Sequence, residues 1–190
     1  MQSAKGIITG HFIAHWRVPS AIHALPARGI AEFAVLEFPP KPLRSSWRYA
    51  TNGMSSYLQP TPDRRSEVRC ELFACTNDEA PWVIGLLAAA AAYPLDYNTY
   101  LAEGDTIDVG QPIDRANSSY TGLLLIRPGC VDPPTLGLLA LGPSDVLVHQ
   151  VVGLLPAEVE FASRNGAELL SKRLSEAGGF SLDRPRSPVV

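Results

Sequence analysis

A chain of 190 residues with 46% hydrophobic and 18% charged residues can bury a core without disulfides or metals, and it is neither disordered nor membrane-like in composition. Its net charge of -3 lacks the basic footprint that phosphate-backbone contact demands, so nucleic acid is not expected as a direct partner. Three cysteines, an odd number without two close-set pairs, argue against a disulfide framework and against structural zinc.

The opening residues, Met1 to Gly6, are not followed by a continuous apolar stretch, because Thr9, His11, His15 and Arg17 interrupt it. The longest apolar run, Val83 to Ala92, is far shorter than the roughly 20 residues of a membrane span, and the chain reads as cytoplasmic. Residues 6–28 are weakly periodic and predict no definite element. Ile30 to Phe38 alternates imperfectly and stops at Pro39-Pro40, which predicts a strand and then an extended connector. Trp47 to Thr51 carries aromatic residues at alternate positions, and Asn52-Gly53 supplies the residues best able to adopt positive φ, so a strand should end there in a tight turn. Tyr57 to Ser66, with two prolines and the pair Arg64-Arg65, reads as a solvated loop.

Glu67 to Thr76 alternates more cleanly, with Val68, Cys70, Leu72 and Ala74 on one side and Glu67, Arg69, Glu71 and Phe73 on the other, so one face should be buried. Asn77 or Asp78 is placed to cap a helix running to about Tyr93, apolar almost all round and ended by Pro94. Thr106 to Val109 and Leu123 to Ile126 predict strands, and the β-branched run Val146 to Leu155 predicts one near the sheet centre. Pro156 opens a last helix, with Glu158 early, Lys172 and Arg173 late and Gly178-Gly179 past its end. Val159, Leu169, Leu170 and Leu174 supply its apolar face. The fold class is α+β, a mixed β-sheet packed against a few helices.

The search for chemistry along the chain is largely negative. His11 and His15 have the i, i+4 spacing of two metal ligands, yet no Glu follows the first and no third ligand is apparent, so no metal site is expected. Cys130 lies in a turn with no base beside it in sequence, and no nucleophile elbow, P-loop or dinucleotide fingerprint is present. Asp105, Asp108 and Asp114 form an acidic group without calcium-loop spacing and read as a solvated loop. No cofactor is called for. An enzyme, a hydrolase using Asp105 with His149, would need the two groups to meet in a cleft.

The segment Trp47-Arg48-Tyr49-Ala50-Thr51-Asn52-Gly53-Met54-Ser55, the strand Glu67 to Thr76, the Ala-rich helix to Tyr93, Gly104-Asp105-Thr106-Ile107, Leu123 to Ile126, Val146 to Leu155 and Pro156-Ala157-Glu158 occur in an order that resembles the suppressor of fused (SUFU) domain family. Thr-Asn-Gly-Met-Ser is the specific part, and the resemblance spans roughly residues 28–176. Residues 1–27 would be an N-terminal segment of the same domain, and 177–190 a flexible tail. The resemblance implies a non-catalytic, protein-binding module with a SUFU N-terminal-domain-like fold. In animal members an aromatic near the end of the central helix and an acidic residue in the following Gly-Asp turn help receive an extended peptide, and Tyr93 and Asp105 match those positions. The animal proteins have a second domain that closes over the peptide, for which this chain is too short. Bacterial members are proposed to act as immunity proteins in polymorphic toxin systems, and the Arg-rich, Lys-poor composition suits a bacterial source. The leading expectation is thus an immunity or antitoxin protein that occludes a cognate toxin. The alternative is a regulatory or scaffold module that binds an extended peptide by strand addition.

Overall fold

The computed structural model describes residues 3–42, 44–61, 67–114, 118–129, 132–141, 144–183 and 186–190; the readings on Arg64-Arg65 and on Cys130 lie outside the described residues. In chain order the elements are α1 (Ala4–Trp16), β1 (Ala21–Ala24), β2 (Ala34–Phe38), β3 (Trp47–Asn52), β4 (Gln59–Pro60), β5 (Glu67–Thr76), α2 (Trp82–Tyr97), β6 (Thr106–Asp108), β7 (Gly122–Ile126), β8 (Leu138–Leu141), β9 (Ser144–Leu154), α3 (Pro156–Asn165) and α4 (Ala167–Ala177). The strands form one mixed sheet in the order β1-β2-β3-β5-β9-β7-β6, with β4 added beside β5 and β8 beside β9. Only the central β5–β9 pairing is parallel among the described strands, with Arg69 opposite Val146 and Ala74 opposite Val151. The fold is α+β.

Helices cover both faces. On one, α2 lies over β2, β3 and β5, and Val83, Leu87 and Ala91 meet Val35, Tyr49 and Leu72. On the other, Ile8, Phe12 and Trp16 of α1 pack on Leu36, Phe38, Ala50 and Phe73, while Leu170 and Leu174 of α4 pack on Leu124, Val152 and Leu154. β5 is therefore buried on both sides: Glu71 and Phe73 are as enclosed as Leu72 and Ala74. The expectation of a single buried face fails because alternation with a polar partner set reads the same whether the polar residues meet water or a second layer.

Several local readings change. The segment left open holds α1, whose Ser3 hydroxyl accepts from the Gly6 N–H at 3.2 Å as an N-cap. Neither Asn77 nor Asp78 caps α2, because Asp183 takes the Asn77 and Asp78 N–H groups at 2.9 Å each and the helix starts after Pro81. Pro94 does not end α2: its fixed φ suits the helix, and the chain continues to Tyr97 before Asn98 turns left-handed at φ 49°. Within Tyr57 to Ser66, Gln59 is a buried β4 residue rather than part of a solvated loop, bonding Cys70 Sγ at 3.0 Å and the Leu101 N–H at 2.8 Å. The last helix is two, divided at Gly166, which adopts φ 88°. After α4, Phe180 and Leu182 are buried, the Leu182 N–H reaches the Cys75 carbonyl at 2.9 Å, and Arg186 pairs with the buried Glu158.

Candidate partner-binding site

The Thr-Asn-Gly-Met-Ser segment ends β3 and turns back over β5, and its residues gather around one buried carboxylate. Glu71 Oε1 accepts from the Gly53 N–H at 3.1 Å, the Ser55 N–H at 3.0 Å and the Ser55 hydroxyl at 2.7 Å, while Oε2 lies 2.6 Å from the Thr51 hydroxyl. Gly53 supports this turn at φ 119°, in a region that side-chain-bearing residues avoid. Asn52 ties the same turn to α1 by donating to the Thr9 hydroxyl at 2.8 Å. Burial raises the Glu71 pKa, and the Thr51, Ser55 and Gly53 donors oppose that rise. The signature is a structural frame that fixes the β3–β5 corner, with Thr51, Gly53 and Ser55 bonded to Glu71 and the Asn52 amide to α1.

Tyr93 and Asp105 lie elsewhere, on the α2 side of the sheet. Tyr93 is half-buried in the last turns of α2 and stands against Tyr97, ring centroids 4.5 Å apart, with Tyr97 itself exposed. One turn back, Trp82, Leu86 and Ala89 on the same helical stripe line a groove of about 450 Å³ whose far wall is Val109, Pro112 and Ile113, just after β6. Asp105 precedes β6, where its carbonyl accepts from the Leu125 N–H at 2.9 Å and its carboxylate from the Ala102 N–H at 2.7 Å. It is half-buried, and burial raises its pKa. No hydrogen bond or ring contact joins Tyr93 to Asp105 among the described residues.

The catalytic alternative is not assembled. His149 is buried in β9, both ring nitrogens lack a hydrogen-bond partner among the described residues, and burial pushes its pKa down to about 4. Asp105 spends its carboxylate on Ala102, and no hydrogen bond joins it to His149. His11 and His15 stack at 4.8 Å, but they bond the Leu136 carbonyl and the Thr135 hydroxyl, and no group of three metal-ligating side chains occurs among the described residues. Among those residues, too, no helix is long and apolar enough to cross a membrane. Sequence reasoning missed the Gln59 and Glu71 networks; Phe73 on the same strand face as Glu71 was the one signal that this face, too, is buried.

These features define a mixed-sheet α+β domain in which a buried carboxylate locks the sheet corner and a groove of mixed polar and apolar lining runs beside the covering helix. Solved structures share that architecture: a protein from Neisseria gonorrhoeae described as a SUFU homolog (TM-score 0.78, 20% identity, 98% of this chain and 97% of that one) and a chain of the Sufu-Fu complex (TM-score 0.71, 22% identity, 98% and 92%). Drosophila Suppressor of Fused follows at TM-score 0.61 and 22% identity, matching 82% of this chain but only 42% of its own length. The sequence model of Suppressor of fused protein (SUFU) matches residues 30–186, and the chain belongs to that family. No curated protein matches the sequence.

Proposed function

We propose that this domain is a non-catalytic protein-binding module, and more narrowly a bacterial immunity protein that occludes a cognate toxin in the cytoplasm. Family membership supports binding, one structural relative having been solved in the Sufu-Fu complex, and the likeness to a Neisseria protein supports a bacterial setting. The observation that carries the reading is the α2 groove, in which Trp82, Leu86 and Ala89 have no covering element among the described residues and which leads toward Tyr93. An aromatic wall with a carboxylate nearby selects an apolar residue followed by a cationic one, and Tyr93 and Asp105 are assigned those two roles.

The test is affinity capture of the partner followed by calorimetric titration against wild type and Tyr93→Ala/Asp105→Ala. Loss of affinity by about tenfold or more with unchanged thermal stability is the expected result. Toxicity of the captured protein when expressed alone, relieved by co-expression of this chain, would establish the immunity role. Unchanged affinity would remove these two residues from the site.

The peptide-binding alternative draws on β6, a three-residue terminal strand with Thr106 and Asp108 exposed beside Asp105. An extended peptide adding there would gain backbone hydrogen bonds independent of its sequence. Protection of the Thr106–Asp108 amides from hydrogen exchange on partner binding would favour it over a groove-bound toxin.

A further inference from the structure

On the α1 side, away from the groove, lies a cavity of about 530 Å³ lined by His15, Trp16, Arg17, Lys41, Arg44 and Asp132, among others. Its position follows from local structure. Lys41 and Arg44 exchange backbone hydrogen bonds of 2.7 and 2.8 Å across a tight turn, which sets their side chains together against the C-terminal end of α1. Arg17, the residue that ends α1, has φ 68° and ψ -168°, a conformation essentially reserved for glycine and costly for any other residue.

Three cationic side chains, Arg17, Lys41 and Arg44, line the cavity with one carboxylate, Asp132, which is already engaged by the buried Arg48. Asp132 Oδ1 accepts from Trp16 Nε1 at 2.7 Å and Oδ2 from Arg48 Nε at 3.1 Å. Arg48 is fully buried, and its Nη2 has no partner among the described residues; Arg44 Nη1 is in the same condition while Arg44 Nη2 bonds the Pro39 carbonyl at 2.6 Å. Ser46 accepts from Arg48 Nη1 and so keeps its own proton for another acceptor. Burial lowers the pKa of both Lys41 and Arg44, and the neighbouring guanidinium groups lower them further, while Asp132 partly offsets this at Arg44.

Cationic side chains that share a cavity repel one another, and a tetrahedral oxyanion presents acceptors to several of them at once. We propose that this cavity is an anion-binding site for a phosphoryl group, held by Arg17, Lys41 and Arg44. Excess cationic charge matches a dianion better than a single carboxylate. An isolated pocket on an acidic protein is no track for a nucleic-acid backbone.

Isothermal titration of the full chain with inorganic phosphate, and separately with glycerol 3-phosphate, at fixed ionic strength tests this. One saturable site is expected, weakened about tenfold or more in Arg44→Gln and in Lys41→Gln, with acetate showing none. Tighter binding of the ester identifies a phosphorylated small molecule as the natural ligand class, and tighter binding of inorganic phosphate identifies the free ion. Absence of saturable heat with both, an equal response to acetate, or wild-type affinity in natively folded Arg44→Gln and Lys41→Gln would overturn the site.

Discussion

Glu71 makes no ion pair among the described residues; neutral donors alone hold its carboxylate. The Thr51 hydroxyl also receives the Leu72 N–H at 2.8 Å and lies 3.3 Å from the Leu72 carbonyl, so a proton on Glu71 Oε2 would let Thr51 donate to that carbonyl and complete the network. This agrees with the raised pKa. A raised folded value means that the Glu71 contribution is full below the ordinary carboxylate range and declines as pH rises through the folded value. Glu71→Gln should therefore fold, because its amide can donate where the proton did, and should flatten that part of the stability profile in denaturant titrations at several pH values. Glu71→Ala strands several buried donors and should cost on the order of 3 kcal/mol or more.

His149 acts with the opposite sign. Its pKa falls from 6.5 to about 4 in the fold, so its contribution is complete above pH 6.5 and is lost as pH falls through about 4, a swing of about 3 kcal/mol. His149→Leu should shallow the loss of stability on acidification, measured by urea unfolding between those pH values. Cys70 and Cys75 are buried with pKa values pushed up to about 12, so in native protein both should resist a thiol reagent that modifies them at once after denaturation, as read by mass spectrometry.

Among elements, the segment after α4 acts as a strap. Glu158 is fully buried and receives the Leu155 N–H at 3.0 Å, the Val189 N–H at 3.1 Å and the Arg186 guanidinium. Arg186 also donates to the Gly153 carbonyl at 2.9 Å and lies over the Tyr120 ring at 5.3 Å. Removing one member of such a pair leaves an uncompensated charge, so Arg186→Ala should destabilise by about 3–5 kcal/mol in chemical denaturation. Gly153 is the floor beneath that ring: a Cβ there would sit 2.8 Å from Tyr120, and Gly153→Ala should cost about 1–3 kcal/mol. The strap was not legible because its anchoring residues are scattered among prolines and form no periodic pattern, only long-range partners. α1 was readable in principle: Ile8, Phe12 and Trp16 recur at helical spacing, but the histidines between them blurred the stripe. Strong local signals did carry β3, β5, β7, β9 and the start of α3, where β-branched runs, Asn52-Gly53 and Pro156 act through nearest neighbours. Pro94 misled because its fixed φ fits helical backbone, so the chain runs on past it to Tyr97 although the Pro94 N–H bond is lost.

For the whole molecule, the resemblance in residue order extended to the architecture, while the site was only partly legible. Tyr93 and Asp105 could be matched by position, but the groove beside Tyr93 is made by residues 82–89 meeting 109–113, a juxtaposition no local pattern encodes. The basic cavity was equally hidden, since Arg17, Lys41, Arg44 and Asp132 come from separate stretches within an acidic chain.

The parallel pairing of β5 with β9 at the sheet centre also has a bearing on biosynthesis. Residues 69–74 must wait for 146–151 to leave the ribosome, and the Glu158 anchor waits for Arg186. Long-range pairing of this kind slows folding. An arrested nascent chain ending before residue 144 should thus hold a hydrophobic half-sheet with β5 exposed, a natural client for a ribosome-associated chaperone, and the domain can become competent only once Arg186 has emerged.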